Sequence, residues 1–185
     1  MATTDDVLPA QPDVALRPVE QADLGLLSRW DADPVIRALM GRRFVGLTPA
    51  EWLENVRRSR SARVWMIEWE GRPVGEVELA QVNRRSRTAE VRVCVGEREL
   101  WGRGIGTAAM SALLEEAFGP MGLESVYLRV FTTNRRAIAL YERLGFRPEG
   151  ILEPSRRRGD PAPVLLMSLP RARWRARSRA GRVVC

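Results

Sequence analysis

The sequence predicts one α/β domain, and three observations carry that reading. Apolar residues alternate with period two in several short stretches, as where Val91, Val93 and Val95 bracket Arg92 and Cys94. From Ile105 through Ala108, Ala109, Leu113, Ala117 and Phe118 the spacing becomes helical. Between the two lies Leu100-Trp101-Gly102-Arg103-Gly104-Ile105-Gly106-Thr107, a loop with three glycines that leaves a strand and enters a helix. A chain of 185 residues, 45% of them hydrophobic, suits a single domain with a real core.

Residues 1–13 carry aspartates and no apolar run, which reads as a flexible lead and not a signal peptide. Val14 to Val19 is the first strand. Asp23 can cap a helix that turns Leu24, Leu27 and Trp30 to one side. Asp31 to Leu47, with Gly41 and Gly46, reads as irregular. Thr48-Pro49-Ala50-Glu51 is a capping box with proline at the first helical position, so a second helix starts there. Val64 to Trp69, Val74 to Val82 and Thr88 to Val95 form a meander, turning at Glu70-Gly71-Arg72 and at Asn83 to Arg87. Ser125 to Phe131 is a strand, followed by a short helix with Asn134 at its N-cap. Gly145 suits that helix's C′ position, with Phe146 as its apolar partner. Arg147 to Leu152 and Pro163 to Leu169 close the domain, which spans 14–170 and leaves 171–185 as a tail.

The formal charge is +7. Six arginines (Arg171, Arg173, Arg175, Arg177, Arg179 and Arg182) lie beyond Pro170 with no acid among them, leaving about +1 for everything before. The domain is thus near neutral, and the tail, too polar to bury surface, is expected to be disordered or marginally helical after Trp174. Only through that tail does nucleic acid enter as a partner. There are no histidines, which removes Ser-His-Asp and Cys-His catalysis and most zinc sites. Cys94 and Cys185 form no metal or redox spacing, so no metal is expected. No apolar run reaches membrane-spanning length, and the expected location is the cytoplasm.

The glycine loop is the first functional signal. The opening N–H groups of a helix have no partner within it and lie at the positive end of its dipole, so they hold an anion such as a pyrophosphate. A triphosphate loop needs Gly-Lys-Ser/Thr, and the sequence contains no lysine. A dinucleotide fingerprint needs Gly-x-Gly-x-x-Gly early in the chain, whereas here the order is Gly102-x-Gly104-x-Gly106. The second signal is Asn134-Arg135-Arg136-Ala137-Ile138-Ala139-Leu140-Tyr141-Glu142-Arg143-Leu144-Gly145-Phe146. Together the two stretches resemble the GNAT N-acetyltransferase superfamily. Gly104 and Gly106 match its Gln/Arg-x-x-Gly-x-Gly/Ala motif. Asn134, Ala137, Tyr141, Glu142, Gly145 and Phe146 match its later Asn-x-x-Ala-x-x-x-Tyr-Glu-x-x-Gly-Phe. Trp101 departs from the usual Gln or Arg, and the Trp-Gly-x-Gly version is similar to the branch of ribosomal-protein and spermidine acetyltransferases.

The resemblance implies a mixed, mostly antiparallel seven-stranded sheet with helices on both faces, and direct acetyl transfer from acetyl-CoA to a primary amine. It implies a cofactor cradle at Trp101, Gly102, Arg103, Gly104, Ile105, Gly106 and Thr107, with Asn134, Ala137 and Tyr141 contributing from the later helix. The strand around Val93, Cys94 and Val95 is expected to splay from the one around Tyr127 to Val130, so that the pantothenate arm pairs with free backbone and an N–H near Val95 polarises the thioester. Arg98, Arg103 and Arg136 are candidates for charge near the phosphates. Tyr141 matches the general-acid position; a phenol stays protonated at neutral pH, with a pKa of about 10. It is equally an aromatic on a core helix face. Asn134 is cap first and catalyst second. For the general base, Glu90 matches the Ala-Glu of that branch, with Glu76 and Glu78 as runners-up; Arg129 stands where other members place a glutamate. The acceptor, a polyamine or other small molecule or a protein N-terminus, is expected to meet the Asp31–Leu47 region. Two further readings stay open, a non-catalytic acyl-CoA-binding regulator and an enzyme tethered to RNA or ribosome by its tail. A homodimer is likewise left open.

Overall fold

A computed structural model of the chain describes residues 12–41, 43–154 and 162–182. Residues 1–11 of the lead and residues 183–185 of the tail lie outside the described residues. Seven strands run β1 (Val14–Pro18), β2 (Arg63–Trp69), β3 (Arg72–Asn83), β4 (Thr88–Val95), β5 (Ser125–Phe131), β6 (Arg147–Leu152) and β7 (Val164–Pro170). They form one sheet in the order β1-β2-β3-β4-β5-β7-β6. Every neighbouring pair is antiparallel except β4 and β5. The seven-stranded mixed sheet anticipated from the sequence is the one observed.

Strand alternation divides the core in two. On one face, Ile67, Val77, Leu79, Val91, Leu128 and Met167 pack under α4 (Ile105–Phe118) and α5 (Arg135–Leu144). On the other, Val64, Met66 and Cys94 pack under α1 (Leu24–Ala32), α2 (Pro34–Met40) and α3 (Pro49–Arg58). The Thr48–Glu51 capping box forms as read, with Glu51 N–H donating to Thr48 Oγ1 and the Glu51 carboxylate accepting from Thr48 N–H.

Three expectations change. The stretch read as irregular holds α2, where Asp33 Oδ1 accepts from the N–H groups of Val35 and Ile36 and Pro34 takes the first position. Asp23 makes no side-chain cap on α1; it accepts from Glu20 N–H and from both terminal nitrogens of Arg17. The tail, expected to be disordered or only marginally helical after Trp174, is helical from Arg171 to Arg182 (α6). Its physical reason is Trp174, which is 9% exposed with its ring 6.4 Å from that of Phe118. One aromatic anchor supplies the buried surface that the arginines cannot. Arg171 N–H donates to Glu124 O, and Arg177 Nη2 reaches the carbonyl of Arg143 at the end of α5. Among the described residues, no helix is long and apolar enough to cross a membrane.

Candidate active site

The parallel pairing of β4 and β5 is short. It joins Thr88, Ala89 and Glu90 to Ser125, Val126 and Tyr127, and then stops. Both strands continue, β4 to Val95 and β5 to Phe131. Beyond Glu90 the backbone of β4 therefore has its β3 partner on one side and no ladder to β5 on the other. That is the splay expected from the sequence, and an extended ligand can pair there as a strand would.

At the end of the splay, Gly102 and Gly104 have φ near +84° and +83°, a region costly for any residue with a Cβ. Gly104 is the N-cap of α4, and no side chain caps that helix end. Gly106 is small for another reason: a Cβ there would lie 3.2 Å from Leu140 Cδ1 and 3.6 Å from Val95 Cγ2, where α4, α5 and β4 converge. Trp101 fixes the loop to the strand, its indole N–H donating to Val95 O across 2.7 Å. The guanidiniums of Arg136 and Arg98 lie 4.8 and 5.8 Å from its ring centroid, and that of Arg103 lies 5.9 Å from the ring of Trp69. An open helix N-terminus, two left-handed glycines, a nearby group of arginines and a free strand edge together fit a pyrophosphate-bearing ligand with an extended arm.

The later motif packs beside this cradle. Asn134 Oδ1 accepts from Ala137 N–H at 3.2 Å and caps α5. Gly145 ends the helix at φ +99°, where Phe146 N–H returns to Tyr141 O. Tyr141 is 5% exposed, 5.7 Å from the ring of Phe146. Burial, with Cys94 adding in the same direction, pushes its hydroxyl well above the usual tyrosine value. The Cys94 thiol is raised to about 11, chiefly by burial.

On the α1–α3 side, the splayed part of β4 borders a cleft of about 120 Å³. Its polar lining is Asp31, Arg43, Glu76, Glu78 and Arg92, beside Trp30, Trp52, Val93 and Cys94. Glu76 is buried; its Oε1 pairs with Arg43, while its Oε2 has no hydrogen-bond partner among the described residues. Glu90 is outside this lining. Burial opposes its charge, but Arg129 at 2.8 Å and Arg92 at 3.2 Å outweigh that and hold its carboxyl below the usual glutamate range. Its remaining hydrogen bond comes from Gln81. As a proton acceptor Glu90 is therefore poorly disposed, because two guanidiniums already occupy its oxygens.

Sequence reasoning did not single out Arg43, Trp52 or Gly96. Arg43 and Trp52 flank Phe44 and carry no motif. Gly96 is required because a Cβ there would fall 2.1 Å from the Trp30 ring, a contact visible only once α1 is docked.

A glycine loop at an open helix N-terminus, a free strand edge and a carboxylate-lined cleft beside it form an arrangement that fits a transferase using an acyl-CoA. The comparisons agree. Residues 33–146 match the model of the Acetyltransferase (GNAT) family. The chain is 30% identical over 147 residues to a spermidine N(1)-acetyltransferase of Escherichia coli, covering 78% of each protein. It is 33% identical over 75 residues, 40% of this chain and 45% of the other, to the L-amino acid N-acetyltransferase AaaT of Escherichia coli. Among solved structures, spermidine N-acetyltransferase from Vibrio cholerae, in complex with CoA and spermine, aligns with a TM-score of 0.78 at 24% identity. That alignment covers 87% of this chain and 97% of the other. The chain belongs to the GNAT acetyltransferase family: it is an N-acetyltransferase that uses acetyl-CoA as donor and a primary amine as acceptor.

Proposed function

We propose that the acceptor is an aliphatic polyamine, bound in the cleft between α1–α3 and β4. The observation that carries this reading is the set of three carboxylates, Asp31, Glu76 and Glu78, converging on one small cleft beside the splayed strand. A polyamine is a string of ammonium groups on apolar spacers, and the cleft offers acids together with the rings of Trp30 and Trp52. The spermidine N-acetyltransferases among its relatives support the same choice.

Acetyl-CoA supplies the activated acetyl thioester. The N-terminus of α4, with Trp101 to Thr107, binds its pyrophosphate, and the free edge of β4 at Val93 to Val95 orients its arm. Asn134 and Ala137 keep α5 in register so that Tyr141 stands over the same site. Tyr141 holds its proton firmly at neutral pH and gives it up at Oη, where a leaving sulfur would develop charge. An aliphatic ammonium is deprotonated in about one molecule per thousand at pH 7, a handicap of roughly 4 kcal/mol. The residue that takes its proton is Glu76, through the unpartnered Oε2; Glu90 instead positions Arg92 and Arg129. The cytoplasm, where acetyl-CoA is made and used, is the setting this chemistry fits.

A free-thiol release assay over an amine panel tests the reading. Spermidine and spermine should exceed butylamine in kcat/KM by at least tenfold. Preference for an amino acid or an N-terminal peptide overturns the polyamine assignment. Acetyl-CoA binding without turnover on any amine overturns catalysis itself and favours a regulator that senses acyl-CoA.

A further inference from the structure

The cleft already contains two cations, Arg43 and Arg92, and Arg43 is the one paired with Glu76. Arg43 comes from the segment between α2 and α3, its side chain 19% exposed against 5% for Glu76, with which it pairs. Its guanidinium lies 5.3 Å from the ring centroid of Trp52. The backbone fixes its approach, since Arg43 N–H donates to Asp31 Oδ1 at 2.6 Å. Burial pulls its pKa down, while Glu78 and Asp31 support its charge. Carboxylate on one side, indole on the other and a second acid at the backbone make the environment an ammonium ligand would seek.

The pairing is incomplete in a telling way. Arg43 takes one oxygen of Glu76 and leaves Oε2 buried without a partner among the described residues. A bidentate arginine fork would satisfy both oxygens, so the carboxylate keeps an acceptor position aimed at a further donor. The segment that carries Arg43 is also lightly held. Gly41 at φ +76° and Gly46 at φ +70° bracket it, and Val45 and Leu47 are exposed. Its apolar anchor is Phe44, edge-on to Trp52 at 5.5 Å, which can stay in place while the longer Arg43 side chain leaves.

We infer that Arg43 sets the affinity of the acceptor cleft for amines, as an internal cation that an incoming ammonium must displace from Glu76 and Trp52. This rests on the cleft being the acceptor site. An acceptor with one ammonium can only exchange charge for charge at Glu76. One with a second ammonium also meets Asp31, or Glu78 beside its partner Arg92, and offsets the displacement with a further pairing. Arg43 thus sets a threshold that every amine must exceed, and a polyamine exceeds it at lower concentration.

The experiment compares Arg43→Met, Arg43→Lys and Glu76→Gln with the parent enzyme, each assayed with spermidine and with butylamine. Arg43→Met keeps an apolar stem against Trp52 and removes the competing charge. Its KM for butylamine and its KM for spermidine should both fall at least tenfold, with acetyl-CoA KM unchanged. Arg43→Lys should restore the parent KM values. Guanidinium chloride should then inhibit Arg43→Met competitively against the amine, at concentrations that leave the parent unaffected once ionic strength is matched with sodium chloride. Unchanged or raised amine KM in Arg43→Met overturns the inference, as does guanidinium inhibiting both proteins alike. If Glu76→Gln also leaves amine KM unchanged, the cleft is not the acceptor site and the parent reading fails with it. Should Glu76→Gln raise amine KM while Arg43→Met does not lower it, the acceptor site stands and only the role of Arg43 falls. If a folded Arg43→Met, checked by its melting curve, loses activity toward carboxylate-bearing amines alone, the guanidinium is an acceptor ligand and displacement is refuted.

Discussion

The indole N–H of Trp101 donates to the carbonyl of Val95, tying the last residue of β4 to the glycine loop six residues on. The same ring lies under Arg98 and Arg136. Trp101→Phe keeps an aromatic ring and removes the donor together with part of the surface that faces Arg98 and Arg136. It should cost about 1 kcal/mol, a melting shift of roughly 2–4 °C in a chain of this size. The KM for acetyl-CoA should rise severalfold because loop and strand lose their common anchor. A variant with unaltered KM would show that the loop keeps its shape without the tie.

Gly104 combines φ +83° with a close neighbour, since a Cβ there would lie 3.2 Å from Pro12 Cδ. Gly104→Ala should lower stability by about 1 kcal/mol through backbone strain alone. Gly104→Asp adds a negative charge at the helix N-terminus, and calorimetry should find acetyl-CoA affinity reduced more than tenfold. Equal loss in the two variants would separate loop strain from charge and remove the phosphate assignment.

Tyr141→Phe should reduce kcat roughly 10²-fold with acetyl-CoA affinity little changed, the low end for a general acid. Because burial raises the phenol's pKa, the parent's kcat should show no alkaline fall attributable to Tyr141 at about pH 10. A kcat within twofold of the parent would leave Tyr141 as core packing against Phe146.

Asp23 gives a pH test of stability. Arg17 outweighs burial and holds its carboxyl below the usual aspartate range. The contribution is therefore fully present above the unfolded value of about 3.9 and is lost as pH falls through the lower folded value. Arg17→Met should lower the melting temperature at pH 7, and the gap to the parent should close near pH 2. A gap independent of pH would assign the loss to packing.

Truncation after Pro170 should be costly. Trp174 fills a core site against Phe118, and deleting a buried tryptophan costs about 3–5 kcal/mol. Trp174→Ala alone should produce most of the fall in melting temperature, and turnover at 25 °C should survive. A truncation that melts within 2 °C of the parent would show α6 to be dispensable.

How much was legible depended on how local the signal was. The individual strands, both capped motifs and the glycine loop follow from spacing within about ten residues, the mixed seven-stranded sheet follows from the resemblance, and each is present. Asp33-Pro34 was equally local, a cap and a first-turn proline, but the glycines at 41 and 46 drew the whole stretch into the loop reading. The α6 helix was hidden because arginine density argued for solvation while a single Trp174 decided the outcome. Glu90 stands out by its match to the Ala-Glu of the resembling branch, and the arginines that tie it down come partly from β5, a neighbour that strand order alone does not reveal. Arg43 had no signal at all; its meaning depends on Glu76, and the two meet only when α2, α3 and β3 are assembled.

The early end of the β4–β5 ladder also bears on the enzyme's endurance. A gap in the middle of a sheet leaves amide groups of β4 and β5 past Glu90 and Tyr127 open to solvent hydrogen at a place where most folds are slowest to exchange. A ligand lying in the gap supplies the missing rungs, and by mass action its binding raises the free energy of unfolding as its concentration grows. If the acetyl donor occupies the gap as proposed, the chain without it lacks those rungs and should unfold more readily than the donor-bound protein.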